Sequence, residues 1–139
     1  MIETRLATPE DALAFIELNA AFNGVTLTHE QAEGNLRAGL DRVILAFANE
    51  NVAGFACVLI IRRVCYIAPY AEVTELYVDP AYRRQGVAQV LMQHAEHLAH
   101  AAKATEITVC TGWDNMAGQQ LYHGLGYVND DLKLAKTLR

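Results

Sequence analysis

The sequence predicts an α/β fold in which a mixed sheet of about seven strands is flanked by about four helices. Short runs rich in β-branched and aromatic residues alternate with longer segments whose apolar residues recur every three or four positions. One strand, one long helix and another strand also follow each other directly, which is the order of a parallel crossover. At 139 residues the chain is expected to form one domain, residues 1–139, with one sizeable core.

Seven runs of residues have the composition of strands. They are residues 2–6, 43–48, 52–64, 71–78, 106–111, 127–128 and 131–138. The second and third form a hairpin, because the Asn49-Glu50-Asn51 segment between them tolerates turn conformations. The fourth ends at Asp79-Pro80, since proline donates no ladder hydrogen bond.

Four segments have apolar residues at helical spacing. They run from residue 8 to about residue 23, from 28 to about 39, from 87 to 102, and from 115 to 123. The first begins at Thr8 and Pro9, because threonine caps helices and proline suits the first turn. In the third, the longest, Val87, Leu91 and Ala95 fall on one stripe.

Composition excludes some partners. Eleven basic against sixteen acidic residues give a net charge of −5, which argues against nucleic-acid binding and favours cationic substrates. The longest apolar run is too short to span a bilayer and the N-terminus does not resemble a signal, so we expect a cytoplasmic protein without a membrane partner. The three cysteines are expected to be buried: Cys57 and Cys110 fall in predicted strands, and Cys65 directly follows one.

The junction between the fourth strand and the long helix has the features of an anion site. The first amides of a helix have no intrahelical acceptor, and the helix dipole adds partial positive charge there. Gly86 lets a ligand approach the backbone, and Arg83 and Arg84 add fixed charge. The loop therefore suits a diphosphate, although a solvated basic turn has the same composition.

Two motifs resemble the GNAT acetyltransferase superfamily. Arg83-x-x-Gly86-x-Ala88, which follows the strand, is similar to its acyl-CoA-binding signature. Asn115, then Tyr122, then Leu125-Gly126-Tyr127 is similar to its other recurring segment. The motif-level resemblance covers roughly residues 71 to 129, and the remaining chain matches by the order of elements.

The resemblance implies a centrally splayed sheet and acetyl-CoA as cosubstrate, without a metal. His94, His97 and His100 repeat at a spacing of three, but two of them fall on the solvated side of the helix, so no metal site is expected. Val78 would pair its backbone with the pantetheine arm. The residues implied in acetyl-CoA binding are Leu76, Tyr77, Val78, Arg83, Arg84, Gln85, Gly86, Val87, Ala88, Asn115 and Tyr122.

The implied reaction moves an acetyl group to an amine and needs proton transfers at both ends. Deprotonating an alkylammonium of pKa about 10.4 at pH 7 costs about 4.6 kcal/mol, so a base helps. Glu72 and Glu75 are the candidates; they lie on opposite faces of an unbroken strand, and a bulge would change that. Glu75 is preferred, with Glu72 or a water chain as alternatives. Tyr122 would protonate the departing thiolate.

The resulting hypothesis is an N-acetyltransferase that works by direct transfer within a ternary complex. The net charge favours a small cationic amine, polyamine-like or aminoglycoside-like, as the acceptor. One alternative is acetylation of a protein N-terminus or lysine. Another is a regulatory module that binds acyl-CoA without catalysis. The sequence leaves the oligomeric state open, and a homodimer is compatible with it.

Overall fold

The computed structural model describes the whole chain, residues 1–139, and contains one mixed sheet with helices on both faces. The sheet order is β1-β2-β3-β4-β5, with antiparallel neighbours except for β5, which runs parallel to β4. The strands are β1 (Ile2–Leu6), β2 (Arg42–Ala48), β3 (Asn51–Ile61), β4 (Tyr70–Val78) and β5 (Ile107–Val109). The helices are α1 (Ala12–Asn23), α2 (His29–Ala38), α3 (Val87–Ala101) and α4 (Met116–Gly124). The mixed α/β architecture, the four helices and the parallel crossover are as predicted.

The prediction of seven strands is wrong, because the last two do not form. Neither residues 127–128 nor residues 131–138 pair with the sheet. A strand needs a partner, and β5, at three residues, offers a very short edge for another strand. The apolar side chains of this C-terminal segment are accordingly exposed, namely Val128, Leu132, Leu134 and Leu138.

Two separate cores cover the two faces of the sheet. The larger core contains the buried side of α3, with Val87, Leu91 and Met92, and includes Tyr122 of α4. The smaller core joins α1 and α2 to the other face, and Phe15 packs edge-on against Phe55 with ring centroids 5.6 Å apart. We call these the α3 face and the α1 face.

A β-bulge changes the alternation of β4. Glu75 pairs with Cys57 and Val73 pairs with the next residue of β3, Val58, so that Thr74 is the extra residue. Ala71 and Val73 before the bulge lie on the α3 face, and Leu76 and Val78 after it pack on the same face. Glu72 and Glu75 therefore both lie on the α1 face, whereas an unbroken strand would separate them.

The edge of β4 that faces β5 is open over half of its length. β5 pairs only with Ala71, Glu72 and Val73, so the following residues, 74–78, have no partner strand on that side. Asp79 N donates to Ala53 O on β3. Because backbone groups alternate along a strand, the N–H groups of Leu76 and Val78 point to the open edge. We call this unpaired stretch of the β4 edge the gap.

The close approach of β3 and β4 requires glycine at residue 54. A Cβ there would collide with the backbone carbonyl oxygen of Tyr77 and lie 3.1 Å from the Cα of Val78. We expect Gly54→Ala to lower the free energy of unfolding by about 2 kcal/mol, since the strands must move apart. Gly34→Ala in α2 is the matched control: nothing lies near its Cβ, and it should stabilise by about 1 kcal/mol. Urea titrations measure both, and equal effects of the two changes would contradict this account.

Two further features of the fold concern the cysteines and the length of the helices. Cys57 is buried as predicted, but Cys65 and Cys110 are exposed, because they lie just outside β3 and β5 rather than within strands. No helix is both long and apolar enough to cross a membrane.

Candidate active site

The loop before α3 has a strained, exposed backbone. Gly86 has φ +82° with nothing within 4 Å of its Cβ direction, and Arg84 has φ +65°, which is uncommon for a residue with a side chain. Arg83, Arg84, Gln85 and Gly86 are all exposed, whereas Val87 is buried and anchors the start of α3 in the core. Backbone strain of this kind concentrates at ligand sites.

Six consecutive backbone amides at this loop have no acceptor within the protein. They are the N–H groups of residues 84 to 89; the first amide of α3 with a partner is that of Val90, which donates to Gly86 O over 3.1 Å. Residues 87 to 89 form the first turn of α3, where the helix dipole is positive. The predicted donors beside Gly86 are thus unpaired, and the loop can accept an anion the size of a phosphate.

Arg83 lies between this loop and the open edge of β4. Its Nε donates to Val78 O over 2.9 Å, and its guanidinium lies 5.8 Å from the centroid of the Tyr77 ring. The carbonyl of Val78 therefore has a partner, while its N–H still faces the gap. Leu76 and Val78 present backbone to the gap, whereas the ring of Tyr77 packs on the α1 face. No pattern in the sequence indicates the bond from Arg83 to Val78.

Tyr122 has a buried ring and a free hydroxyl. The residue is 8% exposed and belongs to the core of the α3 face, against which Leu76 and Val78 also pack. Its hydroxyl has no partner in the protein, and no buried side-chain oxygen lacks a partner, so this oxygen reaches the surface. Burial raises the pKa of the Tyr122 phenol, which keeps it protonated at neutral pH. The phenol can therefore donate a proton or a hydrogen bond.

Tyr127 supports the position of Tyr122. Its N–H donates to Tyr122 O over 2.9 Å, the two rings pack edge to face at 6.1 Å, and its hydroxyl donates to Glu96 of α3 over 3.1 Å. Burial and the neighbouring Glu96 carboxylate raise the pKa of Tyr127. This phenol is thus already engaged, which leaves Tyr122 as the tyrosine of the pair with a free hydroxyl.

Asn115 caps α4. Its Oδ1 accepts from Gly118 N over 3.0 Å, and its Nδ2 donates to Thr111 Oγ1 over 3.0 Å. A Cβ at Gly118 would lie 2.6 Å from Nδ2, so glycine there makes room for the cap. One N–H of Nδ2 remains without a protein acceptor and could bind a ligand.

The two candidate bases are half-buried on the α1 face, on the other side of the gap from Tyr122. Glu75 Oε1 accepts a hydrogen bond from Asn23 Nδ2 over 3.0 Å. The residues paired with Glu72 and Glu75 on β3 are two positions apart, which places the Cα atoms of the two glutamates about 7 Å apart along the strand. The structure therefore brings the glutamates together, and their shared face could not be read from spacing alone.

Comparison with known proteins gives the family. Residues 13–127 match the model of the acetyltransferase (GNAT) family. No curated protein sequence matches significantly.

Solved structures of low sequence identity share the fold. Ribosomal-protein-alanine N-acetyltransferase from Brucella melitensis biovar Abortus 2308 is 18% identical with a TM-score of 0.86, and 99% of each chain is covered. An aminoglycoside acetyltransferase, meta-AAC0020 from an uncultured soil metagenomic sample, is 17% identical with a TM-score of 0.85, over 99% of this chain and 97% of that one. A Trypanosoma brucei acetyltransferase is 14% identical with a TM-score of 0.84, over 99% and 100%.

The loop with its free amides, the open edge of β4 and the free phenol lie within or next to the part of the chain that the family model covers. The chain belongs to the acetyltransferase (GNAT) family, whose members transfer acetyl groups from acetyl-CoA.

Proposed function

We propose that this protein is an N-acetyltransferase that transfers the acetyl group of acetyl-CoA to a small cationic amine, within a ternary complex. The observation that carries the proposal is the gap beside β4. The loop with the unpaired amides opens α3 and Tyr122 belongs to the core of the α3 face, whereas the two carboxylates lie on the α1 face. Acetyl-CoA would enter from the α3 face and the amine from the α1 face, so that they meet in the gap.

The free amides and the arginines supply the binding energy for acetyl-CoA. Amides 84 to 89 would bind its diphosphate, with Arg84 and Gln85 beside it and Val87 and Ala88 in the first turn of α3. The N–H groups of Leu76 and Val78 would bond the pantetheine arm as an added strand, and Asn115 would donate its remaining N–H. The thioester would then lie in the gap between the faces.

Chemistry then requires three proton transfers. Glu75, or Glu72 through water, would take a proton from the acceptor ammonium, and the amine nitrogen would attack the thioester carbon and form the C–N bond. The nitrogen would then release its second proton to water as the C–S bond breaks. Tyr122 would donate to the departing sulfur. Because burial raises the pKa of Tyr122 above about 10 and a thiol titrates near 8.5, full transfer is uphill. The phenol would therefore stabilise the thiolate by a hydrogen bond before it gives up the proton.

The charge of the α1 face favours a cationic acceptor. Glu72 and Glu75 are half-buried there, and the C-terminal end of α1, with its partial negative charge, lies against Glu75 through Asn23. Two carboxylates on one face of the strand can each accept hydrogen bonds from an ammonium group. Acceptors with two or more amines, such as polyamines and aminoglycosides, should thus be preferred. The likeness to meta-AAC0020 is compatible with this choice.

A panel of acceptors tests the proposal. Polyamines, aminoglycosides, amino acids and N-terminal alanine peptides are each supplied with acetyl-CoA, and release of free thiol is measured. We expect release with the polyamines or aminoglycosides, and Glu75→Gln should raise KM for the amine and lower kcat, together about 100-fold in kcat/KM. The surface change Glu30→Gln on α2 is the control and should have no effect.

Three results would contradict the proposal. Release with the alanine peptides alone would favour the alternative of protein N-terminal acetylation. Acetyl-CoA binding without thiol release on any acceptor would favour a binding module without catalysis. Full activity of Glu75→Gln and of Glu72→Gln would remove both carboxylates from the reaction.

A further inference from the structure

A chain of side-chain hydrogen bonds joins Glu75 to the loop that follows α1. Asn23 Nδ2 donates to Glu75 Oε1 over 3.0 Å and to Asn19 Oδ1 over 2.8 Å. Asn19 Nδ2 in turn donates to Val25 O over 3.4 Å. The carboxylate on β4 is therefore connected to the backbone of the segment between α1 and α2, which lies 50 residues away in the chain.

The end of α1 is fixed on β4 by packing, so Asn23 has a defined position. Phe22 packs against Tyr77 at 5.2 Å between ring centroids and against Phe55 at 6.2 Å. Gly24, with φ +69°, ends the helix at the next residue after Asn23. Tyr77 lies two positions after Glu75 on the same face of β4. The packing of Phe22 on Tyr77 therefore places the neighbouring Asn23 beside the Glu75 carboxylate.

The bonding pattern fixes which way both side chains point. Both hydrogens of Asn23 Nδ2 are used, and a carboxylate can only accept, so the amide cannot be turned over without losing both bonds. Only Oε1 of Glu75 has a partner in the protein, which leaves Oε2 free for another donor. A glutamate without this bond would sample several rotamers, because its side chain has three rotatable bonds.

We infer that Asn23 is a positioning residue for the reaction: it holds Glu75 so that Oε2 meets the ammonium of the acceptor, and Asn19 ties this arrangement to the loop of residues 24–27. The inference rests on the proposed function, because it requires Glu75 to act on the amine. Misplacing a catalytic group by about 1 Å can cost a large factor in rate, so a residue that fixes Glu75 affects kcat without touching substrate.

A double-mutant cycle separates this role from a structural one. Asn23→Ala should lower kcat about tenfold, the effect of losing one hydrogen bond to a charged group, with KM for acetyl-CoA unchanged. In the Glu75→Gln background, which retains the acceptor atom but not the base, Asn23→Ala should change kcat less than about twofold. Asn35→Ala, an exposed asparagine of α2 without a side-chain partner, is the matched control in both backgrounds.

The outcomes distinguish this inference from the proposed function. If Asn23→Ala lowers kcat by the same factor in both backgrounds, Asn23 acts through the fold and the inference is wrong. If Glu75→Gln lowers kcat but Asn23→Ala does not, the positioning role of Asn23 is wrong, while the proposed role of Glu75 in the reaction is retained. If Glu75→Gln leaves kcat unchanged, the inference is wrong, and the proposed function then requires Glu72 as the base.

A second readout does not depend on turnover. The side-chain amide signals of Asn23 are observed by ¹⁵N NMR. They should differ between the wild-type protein and Glu75→Gln, and in the wild-type protein they should move when a cationic amine is added. Signals that move in neither case would show that the bond from Asn23 to Glu75 does not form in solution, which overturns the inference even if no acceptor is turned over.

Discussion

Replacement of Tyr122 by phenylalanine is expected to lower kcat about 100-fold, with the Kd for acetyl-CoA changed less than about twofold. The ring of Tyr122 is buried in the core of the α3 face and phenylalanine preserves that packing, so only the free hydroxyl is lost. A proton donor in the transition state contributes about 10² to 10⁴ in rate. Steady-state kinetics with a saturating amine, together with calorimetric titration of acetyl-CoA, measures both quantities.

The pH dependence gives a further check on Tyr122. Because burial raises the pKa of this phenol above its ordinary value of about 10, the acid form persists through pH 9, and any loss of kcat from its ionisation must appear above about pH 10. Tyr122→Phe should remove that alkaline decline. Tyr66→Phe, at an exposed tyrosine, is the matched control and should retain wild-type kcat. An unchanged kcat in Tyr122→Phe would exclude the acid role.

Replacement of Gly86 by valine is expected to weaken acetyl-CoA binding at least about tenfold. The residue has φ +82°, which β-branched residues hardly adopt, so the loop must change conformation and the six free amides change their positions. Strain of this kind costs about 1 to 3 kcal/mol, which corresponds to a factor of about 5 to 150 in Kd. Calorimetric titration of acetyl-CoA measures the change.

Gly39→Val is the matched control for this prediction. Gly39 has φ +61°, nothing lies near its Cβ direction, and it ends α2, at the opposite face of the sheet from the loop. Both changes should lower the melting temperature to a similar extent, but only Gly86→Val should change the Kd for acetyl-CoA. Equal affinities of the two variants would mean that the backbone at Gly86 takes no part in binding.

The parts of the site that sequence could predict are those set by local interactions. The loop at Gly86 is one, since a strand, a glycine and a helix start within ten residues determine where unpaired amides must lie. The helix that begins at Asn115 and carries Tyr122 was likewise predicted, although the capping bond of Asn115 was not. The four helices were predicted for the same reason.

The parts that sequence missed depend on pairing between distant segments. Threonine is common in regular strands, so nothing local marks Thr74 as a bulge. The bulge arises from the pairing of β4 with Cys57 and Val58 of β3. The shared face of Glu72 and Glu75 follows from that register. The hydrogen bond from Asn23 to Glu75 joins residues 52 positions apart, and no local sequence pattern indicates it.

The prediction of strands in the C-terminal segment was wrong for a related reason. Residues 131–138 alternate as a strand does, but alternation indicates only which side chains could face a core. Whether a strand forms depends on an available edge, and β5 is three residues long. The number of strands was therefore overestimated by two.

Titration of ¹⁵N-labelled protein with acetyl-CoA tests the central claim most directly. We predict that the backbone amide signals of residues 84 to 89 move downfield more than any others, because these six N–H groups exchange water for phosphate oxygens. If acetyl-CoA binds while these six signals stay in place and others move, the diphosphate lies elsewhere and the proposed arrangement of thioester, Glu75 and Tyr122 is wrong.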